Sequence, residues 1–484
     1  MYKRLKNFLF TNSNTKQTII KNTVWLFIGE FFGRVVKLFL VIYATRALGA
    51  EGWGVFSYGL AFVSLFYIFA DIGINTFITR ELSKEKDNRY EYIPSALVLK
   101  LSLLAVSFVI SLLLIPQLGS NLVSINLVLT LALLNFSDSI REFILSINRA
   151  FQKMEREAFI KIVLGGITAV LGVALLSTTP SPLSLAIAYA TGSIIASIFS
   201  FFSLSHEIKT ISWVITTKQI KTILHFAWPF IASVIFSTAL VTIDTIMLGQ
   251  LKSASEVGLY SAAQRVIQLL AVIPLFIGIS LFPLMSRNSD DITTINRIFE
   301  KTMVTVLAIG IPLAIGGLLV SDKLILLLFG TSFAQGGIVL GILMFVILAD
   351  FPYIILNNII TAKGLQRKFI ISTIIGLVIN IILNLYFIPL YGAVGAAIST
   401  LVAQMIIMVI NWQLLKRFMS FSIVTKLGKI ITATIIMGVI IFLSTILRIP
   451  VLITIVLAAT TYTYILYFLK EPSLQLLLST INKK

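Results

Sequence analysis

The chain contains no cysteine, and its only histidines are His206 and His225. The first absence excludes disulfides, thiolate nucleophiles and cysteine-held metals, and the second excludes a multi-histidine metal site. Charge is scarce as well: 12% of the 484 residues are charged, against about 25% in soluble domains. There is no Walker A loop to bind ATP, no paired carboxylates in a soluble segment, and no loop long enough to fold as an extramembrane domain. What fills the sequence instead is apolar. Hydrophobic residues make up 58%, and the mean hydropathy is +0.99. A soluble core cannot hide that much apolar surface, so the excess faces lipid. A soluble enzyme, a nucleic-acid-binding protein and a disordered scaffold are all excluded. The net charge of +18 then concerns orientation in a membrane, not nucleic acid.

A spanning helix needs about 20 mostly apolar residues. The apolar runs are continuous, not alternating, which predicts helices and not a β-barrel. Fourteen spans are expected: 22–45, 54–78, 93–116, 122–147, 158–178, 184–205, 223–247, 257–284, 301–320, 336–356, 369–388, 393–415, 428–447 and 449–469. The run Leu324–Phe329 is too short to span and is assigned to the interface. The first span is too long for a signal-peptide core and carries Glu30, Arg34 and Lys37, so it reads as a retained helix. Lysine and arginine crowd alternate loops, with Arg46, Lys252, Lys323 and Arg448 the exceptions on the opposite side. The positive side is cytoplasmic, which places both termini in the cytoplasm.

Two stretches recur in order. Leu48-Gly49-Ala-Glu-Gly-Trp-Gly54-Val-Phe56-Ser57 follows the first span, and Leu248-Gly249, then Val257-Gly258-Leu-Tyr260-Ser261, follows the seventh. Arg149-Ala-Phe-Gln152 leads into the fifth span, and Thr361-Ala-Lys-Gly-Leu-Gln366 into the eleventh. The expected fold is therefore an all-α polytopic membrane protein of about 14 helices, built as two parallel six-helix repeats plus two C-terminal helices. Its expected divisions are an N-terminal cytoplasmic segment (1–21), a first half (22–205), a linker (206–222), a second half (223–415), and two further helices with a cytoplasmic tail (416–484). Parallel halves rocking about a pseudo-two-fold axis give alternating access, with substrate bound between them.

Ionisable residues inside spans cost about 2.5–3.5 kcal/mol each at mid-bilayer, so each needs a reason. Lys100, Glu142 and Lys161 lie near span ends and are expected to snorkel. Arg34 lies near the middle of its span, and Glu30, Arg34 and Lys37 share one face at i, i+4 and i+7. Glu30 cannot neutralise both cations, which points to a hydrated cavity that attracts an anion. Arg141 with Asp138, and Arg265 between Gln264 and Gln268, are further candidates. The Asp138–Arg141 pair either lines such a cavity or neutralises itself. Asp71 lies deep in an apolar run, where a carboxylate either carries protons or makes a structural hydrogen bond. The cationic set is thus Arg34, Lys37, Arg141 and Arg265, and the coupling candidates are Asp71, Glu30 and Asp138. Asn380 and Asn384 read as helix glue, and Gly165-Gly166 as a close-packing site.

Asn22-Thr-Val-Trp25, the turn Arg46-Ala-Leu-Gly49-Ala-Glu-Gly-Trp-Gly54, and Ile388-Pro-Leu-Tyr-Gly392-Ala-Val-Gly-Ala-Ala together carry a resemblance. The chain resembles the polysaccharide biosynthesis (Wzx-type) flippases of the multidrug/oligosaccharidyl-lipid/polysaccharide exporter superfamily. The resemblance implies a non-enzymatic transporter of the cell inner (plasma) membrane. Its substrate would be an undecaprenyl-diphosphate-linked oligosaccharide moved from the cytoplasmic to the outer leaflet, with the cations above holding the diphosphate. It further implies no cofactor, antiport coupled to H+ or Na+, and a pathway shared with a polysaccharide polymerase and glycosyltransferases. The expected partners are the lipid-linked oligosaccharide and membrane lipid, with no nucleic acid. A multidrug-extrusion-type exporter and a lipid II flippase are the alternatives within the superfamily. The cationic stripe argues against the first, whose cavity suits organic cations.

Overall fold

The computed structural model describes residues 10, 12, 14–84, 89–114, 123–204, 213–278, 292–362 and 366–471. Most of the basic N-terminal segment, residues 206–212 of the expected linker, the far end of the expected eighth span and the tail beyond residue 471 lie outside the described residues. Within them the chain is helical and has no strand. Eleven helices among the described residues are long and apolar enough to cross a membrane, and a twelfth counts if one bent pair is a single span. Large apolar side chains such as Phe39, Val170 and Phe468 point outward at 67%, 70% and 77% exposure. That is the pattern of a chain dissolved in lipid. The protein is a multi-pass membrane protein.

The chain packs as two compact units, 1–250 and 251–484. The first holds α1 (Thr15–Tyr67), α2 (Ile74–Leu82), α3 (Tyr92–Leu114), α4 (Ile125–Ala150), α5 (Met154–Thr178), α6 (Pro182–Ser203) and α7 (Thr217–Leu251). Local chemistry starts several of these. Asn14, Ser124 and Ser181 each accept a hydrogen bond from the backbone N–H three residues on, and Pro182 occupies the first turn of α6. The expected first two spans meet within α1 at Gly49, where non-helical backbone (φ +67°, ψ −178°) kinks the chain between two helices. Gly49 has φ +67°, a left-handed conformation that a side chain would strain. The expected span 54–78 is interrupted. A 3-10 turn at Ile68–Ala70 and Gly73 at φ +91° break it before α2, which departs at 46°.

α4 is long enough to span, yet Asp138, Arg141 and Glu142 lower its apolarity. Beneath the break, Ile74, Phe77 and Ile78 of α2 bury against Ile93 of α3 and Phe143, Ile144 and Ile147 of α4. Ile223 and Ala227 of α7 join this core, so the compact unit runs past residue 223.

The second unit holds α8 (Ala254–Leu270), α9 (Ile292–Phe329), α10 (Gly336–Ala362), α11 (Gln366–Tyr391), α12 (Ala393–Lys416), α13 (Gly428–Ile446) and α14 (Val451–Phe468). α9 runs for 38 residues, about 57 Å at 1.5 Å per residue. Leu324–Phe329 therefore continues this helix. Asp322 and Lys323 made the segment look like a loop, but helical backbone tolerates both. α10 packs on α9 and α12, while Val320 of α9 buries with Met437 and Ile441 of α13 and Ala458 of α14. Asn384 donates to Asn380 within α11 at 3.1 Å, both side chains fully buried.

Candidate functional site

A seam of small residues builds the site. A side chain at Gly29 of α1 would put its Cβ 2.6 Å from the Ala158 Cα of α5, and Gly165 lies against Gly33. Nothing lies within 4 Å of a Cβ at Gly166, so only the first glycine of that pair serves close packing. The α1–α5 approach is intimate enough for Glu30 and Lys161 to meet across it. Gly29→Val is accordingly expected to force the two helices apart and destabilise the protein by about 2 kcal/mol, since backbone cannot yield as a side chain can. Thermal unfolding in detergent checks this, and a wild-type Tm would show that the seam can open without cost.

Beside the seam lies a cavity of about 180 Å³, lined from α1 by Glu30, Arg34 and Lys37, from α4 by Asp138, from α5 by Lys161 and Thr168, and from α6 by Tyr189. Three cations face two carboxylates there, leaving one positive charge in excess. Arg34 donates through Nε to Glu30 Oε2 at 3.0 Å, and Lys161 donates to Glu30 Oε1 at 2.5 Å. Lys37 Nζ stands 5.3 Å from the centre of the Tyr189 ring, within range of a cation–π contact. Asp138 is engaged from behind: Arg141 donates to it at 2.5 Å and Ser193 donates to the same oxygen. Arg141 also donates to Ser193 at 3.0 Å.

The structure thus brings together Glu30, Arg34, Lys37 and Asp138, with Arg141 buried behind Asp138. Arg265 lies in the second unit, where its Nη1 donates to Gln268 at 3.0 Å, and it is not among the residues lining this cavity. Asp71 sits at the helix break instead. Asn75 donates to it at 2.5 Å, and Lys100 Nζ lies 3.8 Å away.

Two residues read as snorkelling behave otherwise. Lys100 is fully buried, donating to Asn75 at 3.1 Å beside Asp71. Lys161 is the cation that sequence reasoning missed. It is shared between Glu30 and Glu157, the latter at 2.8 Å, and Glu157 in turn accepts from Arg149 at 2.9 Å. Arg149 also holds Glu142 at 2.8 Å. The result is an unbroken alternation, buried deepest at Glu157 and open at both ends: Arg34, Glu30, Lys161, Glu157, Arg149, Glu142. The one available signal was the glycine seam, which hints that α1 and α5 pack closely.

The charge of this cavity suits an anion. Arginine offers a planar fork and lysine a point charge, and both suit phosphate oxygens.

Residues 19–289 match the polysaccharide biosynthesis protein family, and residues 229–386 match the MatE family. A probable low-salt glycan biosynthesis flippase of Haloferax volcanii is 22% identical over 432 residues, covering 88% of this chain and 89% of that one. The capsular polysaccharide biosynthesis protein CapF of Staphylococcus aureus is 23% identical over 411 residues, covering 82% and 100%. In fold, the chain is similar to the lipid II flippase MurJ in its inward closed conformation. The TM-score is 0.76 at 17% identity, with 92% and 99% of the two chains covered.

Proposed function

The chain belongs to the polysaccharide biosynthesis protein family, and from that premise we propose that it flips an undecaprenyl-diphosphate-linked oligosaccharide from the cytoplasmic to the outer leaflet by alternating access. The observation that carries the reading is the cavity in which Arg34, Lys37 and Lys161 converge with a net positive charge. A diphosphate on a lipid tail needs cations at membrane depth, and an organic cation would not select for them. Relatives named for glycan and capsular polysaccharide biosynthesis support a glycan cargo.

The protein works in the inner (plasma) membrane with both termini cytoplasmic, as fourteen spans in two parallel six-helix halves plus two C-terminal helices. An H+ or Na+ gradient drives it, with Asp71 beside Lys100 as the coupling candidate. A polymerase and glycosyltransferases supply and consume its cargo.

Leaflet translocation of a fluorescent undecaprenyl-diphosphate oligosaccharide in proteoliposomes tests the reading. Translocation by the full chain is the expected result. Failure to move it, with efflux of a cationic dye instead, would assign the protein to multidrug extrusion.

A further inference from the structure

Of the two carboxylates that line the cavity, only Glu30 is free to exchange. Asp138 is held by Arg141 and Ser193. Glu30 spends one oxygen on Arg34 of its own helix and the other on Lys161 of α5, bridging two cations as a phosphate would. The Arg34–Glu30 contact is partly open, at 41% and 27% side-chain exposure, so an arriving anion can reach it. Lys161 would not follow Glu30 away, because buried Glu157 holds it independently at 2.8 Å. The cations are fixed and the carboxylate is the movable member.

A carrier that delivers its cargo must return empty. An anion carrier returning with Arg34 bare, and with Lys161 left to Glu157 alone, would drag unpaired charge through a low-dielectric closed state, which is strongly disfavoured. Resting on the flippase reading above, we propose that Glu30 is a stand-in anion: the substrate's phosphate displaces it from Arg34 and Lys161, and it re-occupies both cations so that the empty carrier can reorient. This assigns Glu30 to the return step, not to proton binding and not to the fold.

Glu30→Gln separates these roles. The full-length variant is reconstituted in proteoliposomes with NBD-labelled undecaprenyl-diphosphate N-acetylglucosamine as the probe. Net translocation is expected to fall by about tenfold or more, while exchange of labelled for unlabelled lipid across the bilayer persists, because exchange never requires an empty return. In detergent, inorganic pyrophosphate is expected to bind the variant about tenfold more tightly than wild type, a usual size of coupling between two ligands competing for one site. Persisting exchange also certifies that the variant is folded. Equal loss of net flux and exchange would overturn the proposal, as would normal net flux that has merely lost its dependence on a pH gradient. In both cases, wild-type transport of the probe would leave the flippase reading intact. A wild type that neither binds pyrophosphate nor moves the probe would overturn that reading and this inference together.

Discussion

Replacing Arg34 with alanine is expected to leave the protein inserted and folded and to abolish glycan export. Its ion-pair partner, Glu30, is one turn away on the same helix, so the contact joins no two elements. Glu30 keeps Lys161 at 2.5 Å when Arg34 is gone. The Arg34 side chain is 41% exposed, and pairs of that kind contribute about 0–1 kcal/mol. The stability change should therefore be small. The functional change should not be. A charge-assisted bond to a phosphate is worth about 1.5–3 kcal/mol, roughly 10- to 100-fold in binding. Arg34→Lys keeps the charge but loses the fork, so an intermediate loss is expected. Export in cells lacking the native protein, normalised to its abundance in the membrane, checks both. Normal export by Arg34→Ala at normal abundance would place the anchor elsewhere.

Arg34 was legible in the sequence for a reason its partner was not. The spacing of Glu30, Arg34 and Lys37 is a property of one helix, and helical period alone puts them on one face. Lys161 stands 131 residues from Glu30. Its role depends on which helix packs against α1, and that is decided by the Gly29–Ala158 and Gly33–Gly165 contacts, not by hydropathy. Hydropathy prices each charge alone and so sorts Lys100, Glu142 and Lys161 by distance from a span end. Pairing is a two-body effect and overrides that sorting at Lys100 and Lys161.

The helices themselves were largely legible, because continuous apolar runs leave few alternatives. The errors fell where a local signal competed with a long apolar run. At Asp71-Ile-Gly73 a real break hid inside the expected span 54–78, and at Asp322-Lys323 an apparent loop proved to be continuous α9. Gly73 was the clue at the first, since glycine is what a left-handed residue needs. At the second, Asp322 and Lys323 carry no such requirement and sit within continuous helix.

Glu157→Leu is expected to do the reverse of Arg34→Ala and cost stability before it costs transport. The Glu157 side chain is 2% exposed and joins two helices: both its oxygens accept from Arg149 of α4, at 2.9 and 3.1 Å, and it pairs with Lys161 of its own α5 at 2.8 Å. Removing one partner of a buried ion pair typically costs about 3–5 kcal/mol, because the other charge is left without compensation. Here each orphaned cation keeps a second acid, Glu142 for Arg149 and Glu30 for Lys161. The loss should thus lie near the lower end, about 3 kcal/mol. Adding Arg149→Leu removes the charge that the first substitution strands, and should recover part of the loss, whereas two independent defects would add. Thermal unfolding of the three variants in one detergent decides between these outcomes. A wild-type Tm for Glu157→Leu would mean that water reaches Arg149 and Lys161 freely, and that the buried middle of the charge chain is no more structural than Arg34. If the loss and its partial recovery are found, burial along a single alternation of charges separates the two duties: its buried middle at Glu157 holds α4 to α5, and its Arg34 end is left to exchange partners with an anion.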